Sequence, residues 1–480
     1  MPLLRIPVLL PSMGMDYSRP ATLIDNANCF PQNMSFSRGD ITKRAGRSLF
    51  GDTAISGAPV MGYGTFYMGS GARHILRVST NNLEKYNELT NVWDDIAVTP
   101  FSGDADDYFA FATVAESDLI AISNGVDNIR KWTGSGNQQL LGGTPPICKT
   151  MCYLSPYLIL GNLIESGTPN PWKVAWCDTA NPEIWTGGNS GSELLSDESS
   201  EIVRLKKLNE YAAAYKKDSL WLGRLDVSDV ISFDCVKTGI GIVSKNAVAE
   251  AEAVHYFMGY NDFYSWDSSG ITPIGKGVRD EVFSTIDKTQ LHKCFAVHAK
   301  DTTEIWFAVV TTGQTYPTQI WKYNYRYGIW YFDTIANITA GIEFEGNAFA
   351  ERTILGDSSG YSYRVDPTAH NDNGVAISSY VITKDFVADK FEYEKRWLQI
   401  DLWAYGSATL YVDYSIDRGT TWTSLSSATL EASMPIFPIT LWFDVVSSHI
   451  RFRFRNAGDG EYFYLRKFFP YYLGREEAFK

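Results

Sequence analysis

The stretch from Glu201 to Val282 constrains the fold most. Two apolar runs, Ile202-Val203-Arg204-Leu205 and Tyr211-Ala212-Ala213-Ala214-Tyr215, lead through a turn at Lys216-Lys217-Asp218 into Ser219-Leu220-Trp221-Leu222. Beyond Gly239-Ile240-Gly241 come Val254-His255-Tyr256-Phe257-Met258-Gly259 and Asp262-Phe263-Tyr264-Ser265-Trp266-Asp267. Short aromatic and β-branched runs punctuated by Gly, Asp and Asn are the pattern of strands joined by tight turns. The stretch therefore reads as a β-meander.

The layout recurs along the chain. Leu119-Ile120-Ala121-Ile122-Ser123-Asn124-Gly125 is followed by Asn128-Ile129-Arg130-Lys131-Trp132-Thr133-Gly134, and His74-Ile75-Leu76-Arg77-Val78 by Leu83-Glu84-Lys85-Tyr86. Glu304 to Val309 with Gln319 to Tyr323, and Thr353 to Asp357 with Gly360 to Val365, repeat it again. Self-similarity at about 40 to 50 residues marks the blades of a propeller. At roughly 45 residues per blade, residues 56–370 allow six or seven. The expected fold is all-β, with an N-terminal arm or edge strands over 1–55, a β-propeller over 56–370 and a C-terminal β-sandwich over 371–480.

The arm holds Asp25-Asn26-Ala27-Asn28-Cys29-Phe30 and Gly39-Asp40-Ile41-Thr42-Lys43-Arg44-Ala45-Gly46. It could wrap a neighbour or close the first blade of its own propeller. A turn-forming cluster, His370-Asn371-Asp372-Asn373-Gly374, suits a domain boundary. Longer strands follow at Ile377 to Ile382, Trp397 to Trp403, Ala408 to Tyr414 and Ile450 to Arg455. The last alternates apolar residues with Arg, which predicts one buried face and one cationic, wet face. Val243 to Val254 is rich in Ala and Glu and is the best place for a short helix, or else a loop turn between blades.

Composition supports a large core shared among several sheets. Of 480 residues, 45% are hydrophobic and 14% aromatic, with 28 Tyr and 14 Trp suited to half-buried strands and interfaces. The net charge of −13 argues against a protein that grips phosphates along a basic surface, though an acidic wall would let a duplex slide without sticking. Arg204-Leu205-Lys206-Lys207 reads as a solvated strand edge. The six cysteines, at 29, 148, 152, 177, 235 and 294, form no CxxC pair and are expected to be reduced and mostly buried. Pro7 and Pro11 bracket Val8-Leu9-Leu10 with no cleavage site after them, and no run approaches the ~20 residues of a membrane-spanning helix. A soluble protein without a Sec-type signal is expected.

Gly188-Asn189-Ser190-Gly191-Ser192 looks like a chymotrypsin-type nucleophile loop, but the only upstream His, His74, lacks that family's surroundings. A Gly/Ser/Asn turn is the better reading. Ser415-Ile416-Asp417-Arg418-Gly419-Thr420-Thr421-Trp422 is similar to the Asp-box hairpin of sialidases, a structural element. His292, Cys294 and His298 would share one face of a strand from Leu291 to Ala299, yet ~3.3 Å per residue separates the two His by ~20 Å, too far for one zinc ion. The acids Asp94-Asp95, Asp104 with Asp106-Asp107, and Glu250 with Glu252 read as solvated loop carboxylates. No catalytic, cofactor-binding or metal residue is assigned, and no enzymatic activity is expected.

Lys43-Arg44-Ala45-Gly46, Lys216-Lys217-Asp218-Ser219-Leu220-Trp221, Gly239-Ile240-Gly241 and Gly259-Tyr260-Asn261-Asp262-Phe263-Tyr264-Ser265-Trp266-Asp267-Ser268-Ser269-Gly270 together carry a family likeness. With them, roughly residues 1–370 resemble the β-propeller tail hub and nozzle proteins of short-tailed bacteriophages, also called packaged-DNA stabilisation proteins. The resemblance implies a non-enzymatic virion tail protein, folded and assembled in the bacterial host cytoplasm. It implies a homohexameric ring with portal and adaptor proteins above and tail fibres or spikes docked outside. Double-stranded DNA would be retained and then passed without sequence specificity, with no stable membrane insertion. The alternative is a carbohydrate-binding or glycan-cleaving propeller, motivated by the Asp-box-like hairpin; a secreted scaffold is a third reading.

Overall fold

The computed structural model describes residues 3–9, 14–26, 28–37, 39–196, 200–388 and 392–474. Between Gly62 and Asp366 the chain forms seven four-stranded antiparallel blades, the last of which borrows its outer strand from the arm. The innermost strands are Gly62–Tyr67, Ala110–Val114, Ile147–Leu154, Ile202–Leu208, Val248–Ala251, Phe295–Ala299 and Ile338–Phe344. Ile338–Phe344 packs against Gly62–Tyr67, which closes the ring. The fourth and fifth blades meet through a core that includes Ala213, Tyr215, Phe257 and Trp266.

Burial on both faces explains why the runs read as continuous and not strictly alternating. A blade is sandwiched between two others, so both sides of its middle strands leave water. Leu119–Ser123 and Glu304–Val309 are buried at every position. The 82-residue stretch from Glu201 to Val282 is two blades, Ile202–Thr238 and Val248–Pro273, followed by the helix Arg279–Thr285.

The arm closes the last blade and not the first. Gly46–Leu49 pairs antiparallel with Ser362–Asp366, with Gly46 opposite Asp366 and Leu49 opposite Tyr363. Ring closure thus ties the beginning of the chain to the end of the propeller. Cys29–Gln32 lies between Ile329–Thr334 of the sixth blade and Ser379–Thr383 of the C-terminal part, making one continuous nine-stranded sheet. Ala27, within the Asp25–Phe30 run, lies outside the described residues.

The C-terminal part is a β-sandwich. One layer is the far half of that nine-stranded sheet; the other joins Leu4–Arg5, Val8–Leu9, Met34–Ser37, Asp40–Lys43, Lys395–Ser407, Ile439–Ser447 and Tyr462–Gly474. Trp397, Ile400, Leu402, Leu410, Val412, Phe452, Phe454 and Phe468 fill the space between them. The arm is therefore part of the sandwich as well as of the propeller.

Four expectations are corrected. Val243 to Val254 holds no helix: Val248–Ala251 is the inner strand of the fifth blade, turned at Glu252-Ala253 with φ of 51° and 64° into Val254–Met258. Pairing and burial override the local helix preference of Ala and Glu. The cluster from His370 to Gly374 is more than a turn between domains, because Asn371–Asp372 and Val375–Ala376 form a hairpin added to the seventh blade beside Gly46–Leu49. Leu291 to Ala299 is not one strand but a 3₁₀ turn, Leu291–Lys293, followed by Phe295–Ala299. The Arg face of Arg451–Asn456 is not simply wet: Arg451 pairs with Asp385 at 2.7 Å, while Arg453 and Arg455 share Asp413 at 2.8 and 2.7 Å. The apolar face behaves as expected, with Phe452 and Phe454 fully buried.

The arm's basic segment clasps these parts together. Arg44 donates through both terminal nitrogens to the Asp372 carboxylate, at 2.9 and 2.6 Å, and its Nε lies 3.7 Å from Asp333 of the sixth blade. Lys43 Nζ donates to Asn456 Oδ1 at 3.1 Å and to the Gly458 carbonyl at 3.0 Å in the sandwich. Gly46 is sterically obligatory, since a Cβ there would stand 2.0 Å from the Asn371 carbonyl oxygen.

Candidate functional site

Inner strands of the first, second, fourth, fifth, sixth and seventh blades border a central cavity of about 660 Å³. Its lining mixes rings and charges: Tyr63, Phe109 and Phe111 on one side, Arg204, Lys206 and Asn246 on another, and Glu250, Glu252, His298, Lys300, Glu343 and Glu351 around the rest. Side chains repeat every two residues along a strand, which is why Arg204 and Lys206 reach the same space. Phe111 can lie across the first blade because Gly64 has no side chain; a Cβ there would meet the ring at 2.5 Å.

Most of the charges are paired. Lys206 Nζ is 3.8 Å from Glu250, His298 Nδ1 is 3.2 Å from Glu343, and Lys300 Nζ is 2.6 Å from Glu351. Burial opposes ionisation of Glu250, but the His255 ring 3.7 Å away and the nearby Lys206 charge outweigh it and hold the carboxyl below its ordinary value. His255 itself is pushed down by burial, and its ring is fixed between the Tyr215 hydroxyl at 2.7 Å and the Lys207 carbonyl at 2.9 Å.

Arg204 differs from the others. Its Nε is buried with no hydrogen-bond partner, and no carboxylate pairs with the guanidinium among the described residues. Burial depresses its pKa, yet a guanidinium stays protonated in proteins. Nearby Lys245 is pushed down to about 7, by burial first and by repulsion from Arg204 second, and its Nζ donates to the Tyr108 carbonyl at 2.5 Å.

The other motifs are structural. Ser190 Oγ donates to the Gly187 carbonyl at 2.6 Å in a turn, and His74 sits 5.1 Å from the Trp132 ring in another blade. His292 meets Asp106 at 2.9 Å, Cys294 is buried, and His298 faces the central cavity, so the three do not converge. Among the described residues no group of three or more His, Cys, Asp or Glu could hold a metal ion. The cysteines are free, with Cys235 exposed and the rest buried. Asp94, Asp95, Asp104 and Asp107 are loop or edge acids; Asp104 and Asp107 bond to backbone amides of their own neighbourhood.

The Asp-box-like hairpin forms as the motif requires. Ser415 Oγ donates to Asp417 Oδ1 at 2.7 Å, the Gly419 amide donates to Ser415 Oγ at 2.8 Å, and the Thr421 amide donates to Asp417 Oδ1 at 2.9 Å. Gly419 takes φ of 91°, and Trp422 lies 4.6 Å below the Arg453 guanidinium. It joins two strands of the sandwich, away from the central cavity.

Two site residues were misread in the sequence. Arg204 and Lys206 were expected on a solvated edge, but Ile202–Leu208 is an inner strand and only Lys207 is exposed. The available signal was position: the first strand of each meander faces the axis, so cations two apart on it point into the hole.

No family model matches the chain, and no curated protein matches it. Solved structures similar to it include chains from crystal structures of BBS1N in complex with ARL6DN, soaked with mercury or with lead. They are 11% identical, with TM-scores of 0.41 and 0.42; the alignments cover 68% of this chain and 98% and 99% of the others. The seven-bladed assignment rests on the strand pairing itself. No helix among the described residues is long and apolar enough to cross a membrane.

Proposed function

We propose that the protein is a structural component of a short-tailed phage tail, a hub or nozzle in which several copies form a ring around the DNA exit channel. The observation that carries this reading is an apolar strip on the sandwich. Ile436 and Phe437 are 89% and 79% exposed, and Trp442, on the terminal strand Ile439–Ser447, is 69% exposed. A terminal strand carrying large apolar side chains is a liability in an isolated molecule and a ready surface for a second copy. The acidic balance of the chain suits a duct that does not hold DNA.

In this reading the duct runs between copies. A cavity of about 660 Å³, bordered by the Lys206–Glu250 and Lys300–Glu351 pairs, has room for a small molecule. A duplex whose major groove alone is about 12 Å wide does not thread it. Each propeller would then be a wall of the ring, and the sandwich its contact with the next copy.

The test is the oligomeric state of the wild-type chain and of a W442E/F437S variant, read by light scattering after gel filtration. The reading expects a closed oligomer that the variant breaks into folded, smaller species. A wild type that is monomeric, or a variant that assembles unchanged, overturns it. Saturable binding of the wild type to one host polysaccharide, with no assembly, would favour the glycan-binding alternative.

A further inference from the structure

The central cavity pairs its basic side chains with carboxylates, with one exception, which gives it a chemical preference of its own. Lys206, His298 and Lys300 each have a carboxylate partner, at 3.8, 3.2 and 2.6 Å. Arg204 has none, although it lines the same space and its Nε is shut off from water. Arg204 is half-buried, and a charge withdrawn even partly from water is stabilised by a counter-charge. Such a group is retained where something else supplies the negative charge.

We propose that the propeller's central cavity binds a small oxyanion, of phosphate type, on Arg204. The guanidinium offers a planar fork of donors that matches a multi-oxygen anion, and Asn246 from the neighbouring blade lines the same side of the cavity. Lys245, close enough to repel Arg204, turns its Nζ to the Tyr108 carbonyl. Asp107 is the acid that acts on Lys245, and no acid offsets Arg204. Glu250, paired with Lys206, and the exposed Glu252 also line the cavity. Phe111 and Tyr63 provide an apolar wall for whatever organic group the phosphate carries. This inference does not depend on the ring, since every residue in it belongs to one chain.

The experiment is calorimetric titration of the full chain with inorganic phosphate against chloride at matched ionic strength, repeated with glucose 6-phosphate. Saturable phosphate binding, weakened at least tenfold in R204Q, supports the site. Tighter binding of the sugar phosphate than of phosphate assigns the apolar wall to an organic group, and equal binding assigns the site to the free ion. N246D, which places a carboxylate where the anion would sit, should abolish binding and keeps the test decisive if R204Q does not fold. No saturable phosphate binding by the wild type, or binding that survives both substitutions, overturns the proposal.

Discussion

Arg44→Met removes the part of the clasp that ties the arm to the last two blades. Arg44 is 5% exposed as a side chain, Asp333 1% and Asp372 16%, so the substitution strands two carboxylates in a nearly dry environment. Breaking a buried pair from one side costs about 3–5 kcal/mol. The lower end applies here, because Lys322 still pairs with Asp333 and Arg47 stands 3.9 Å from Asp372. Unfolding entropy of about 2.1 cal/mol/K per residue makes a chain of this length lose about 1 kcal/mol per kelvin near its midpoint. The expected drop is therefore only about 3 °C if the chain melts as one unit, and denaturant titration is the more sensitive assay. Arg44→Lys keeps the charge without the two-pronged contact and should fall between wild type and Met. Amide exchange should also quicken locally, in residues 46–49 and 371–376, where the closing strand and its hairpin depend on the clasp. A loss under about 0.5 kcal/mol in Arg44→Met, with unchanged exchange there, refutes the reasoning.

Three further outcomes are expected. Gly46→Ala should destabilise by roughly 1–3 kcal/mol, as overpacking does, because its Cβ collides with the Asn371 carbonyl; denaturant midpoints check this, and an unchanged midpoint contradicts it. Lys245 is a base whose folded pKa, about 7, lies below its ordinary 10.5. The unfolded chain binds the extra proton between those values, so stability should rise as pH climbs from about 7 toward 10.5. Lys245→Met should flatten that rise, measured by denaturation at several pH values. Asp417 is held down at about 2 by hydrogen bonds from Thr421 and Ser415. The hairpin's contribution is present above the ordinary 3.8 and is lost as pH falls from there through about 2, which carboxyl NMR of Asp417 would follow. A midpoint near 3.8 would contradict the bonded turn.

The strands were legible because their chemistry is local. Runs such as Leu119–Ser123 and Glu304–Val309 are largely apolar and buried at every position, and the turns between strands hold Gly and Asn. What eluded the sequence depends on partners far along the chain. Gly46–Leu49 has no pattern that points to Ser362–Asp366, some 300 residues later, so the blade it closes could not be chosen. Val248–Ala251 reads as helix because Ala and Glu favour it, and only pairing with Val254–Met258 makes it a strand. The site was harder still, since Arg204, Glu250 and His298 lie in separate blades and meet only at the axis. Ser415 to Trp422, whose Ser415, Asp417, Gly419 and Thr421 bonds lie within one turn, is legible as a structural hairpin.

Electron microscopy of the purified chain tests the tail-hub account most directly. The account predicts a closed ring, six copies by the family likeness, with Trp442 at the contact between copies and an axial duct between them wide enough for a duplex. The propeller axes should be visible in the wall as separate, narrower holes. Monomers under all conditions, or a ring whose subunits meet elsewhere and leave Trp442 in solvent, would contradict it.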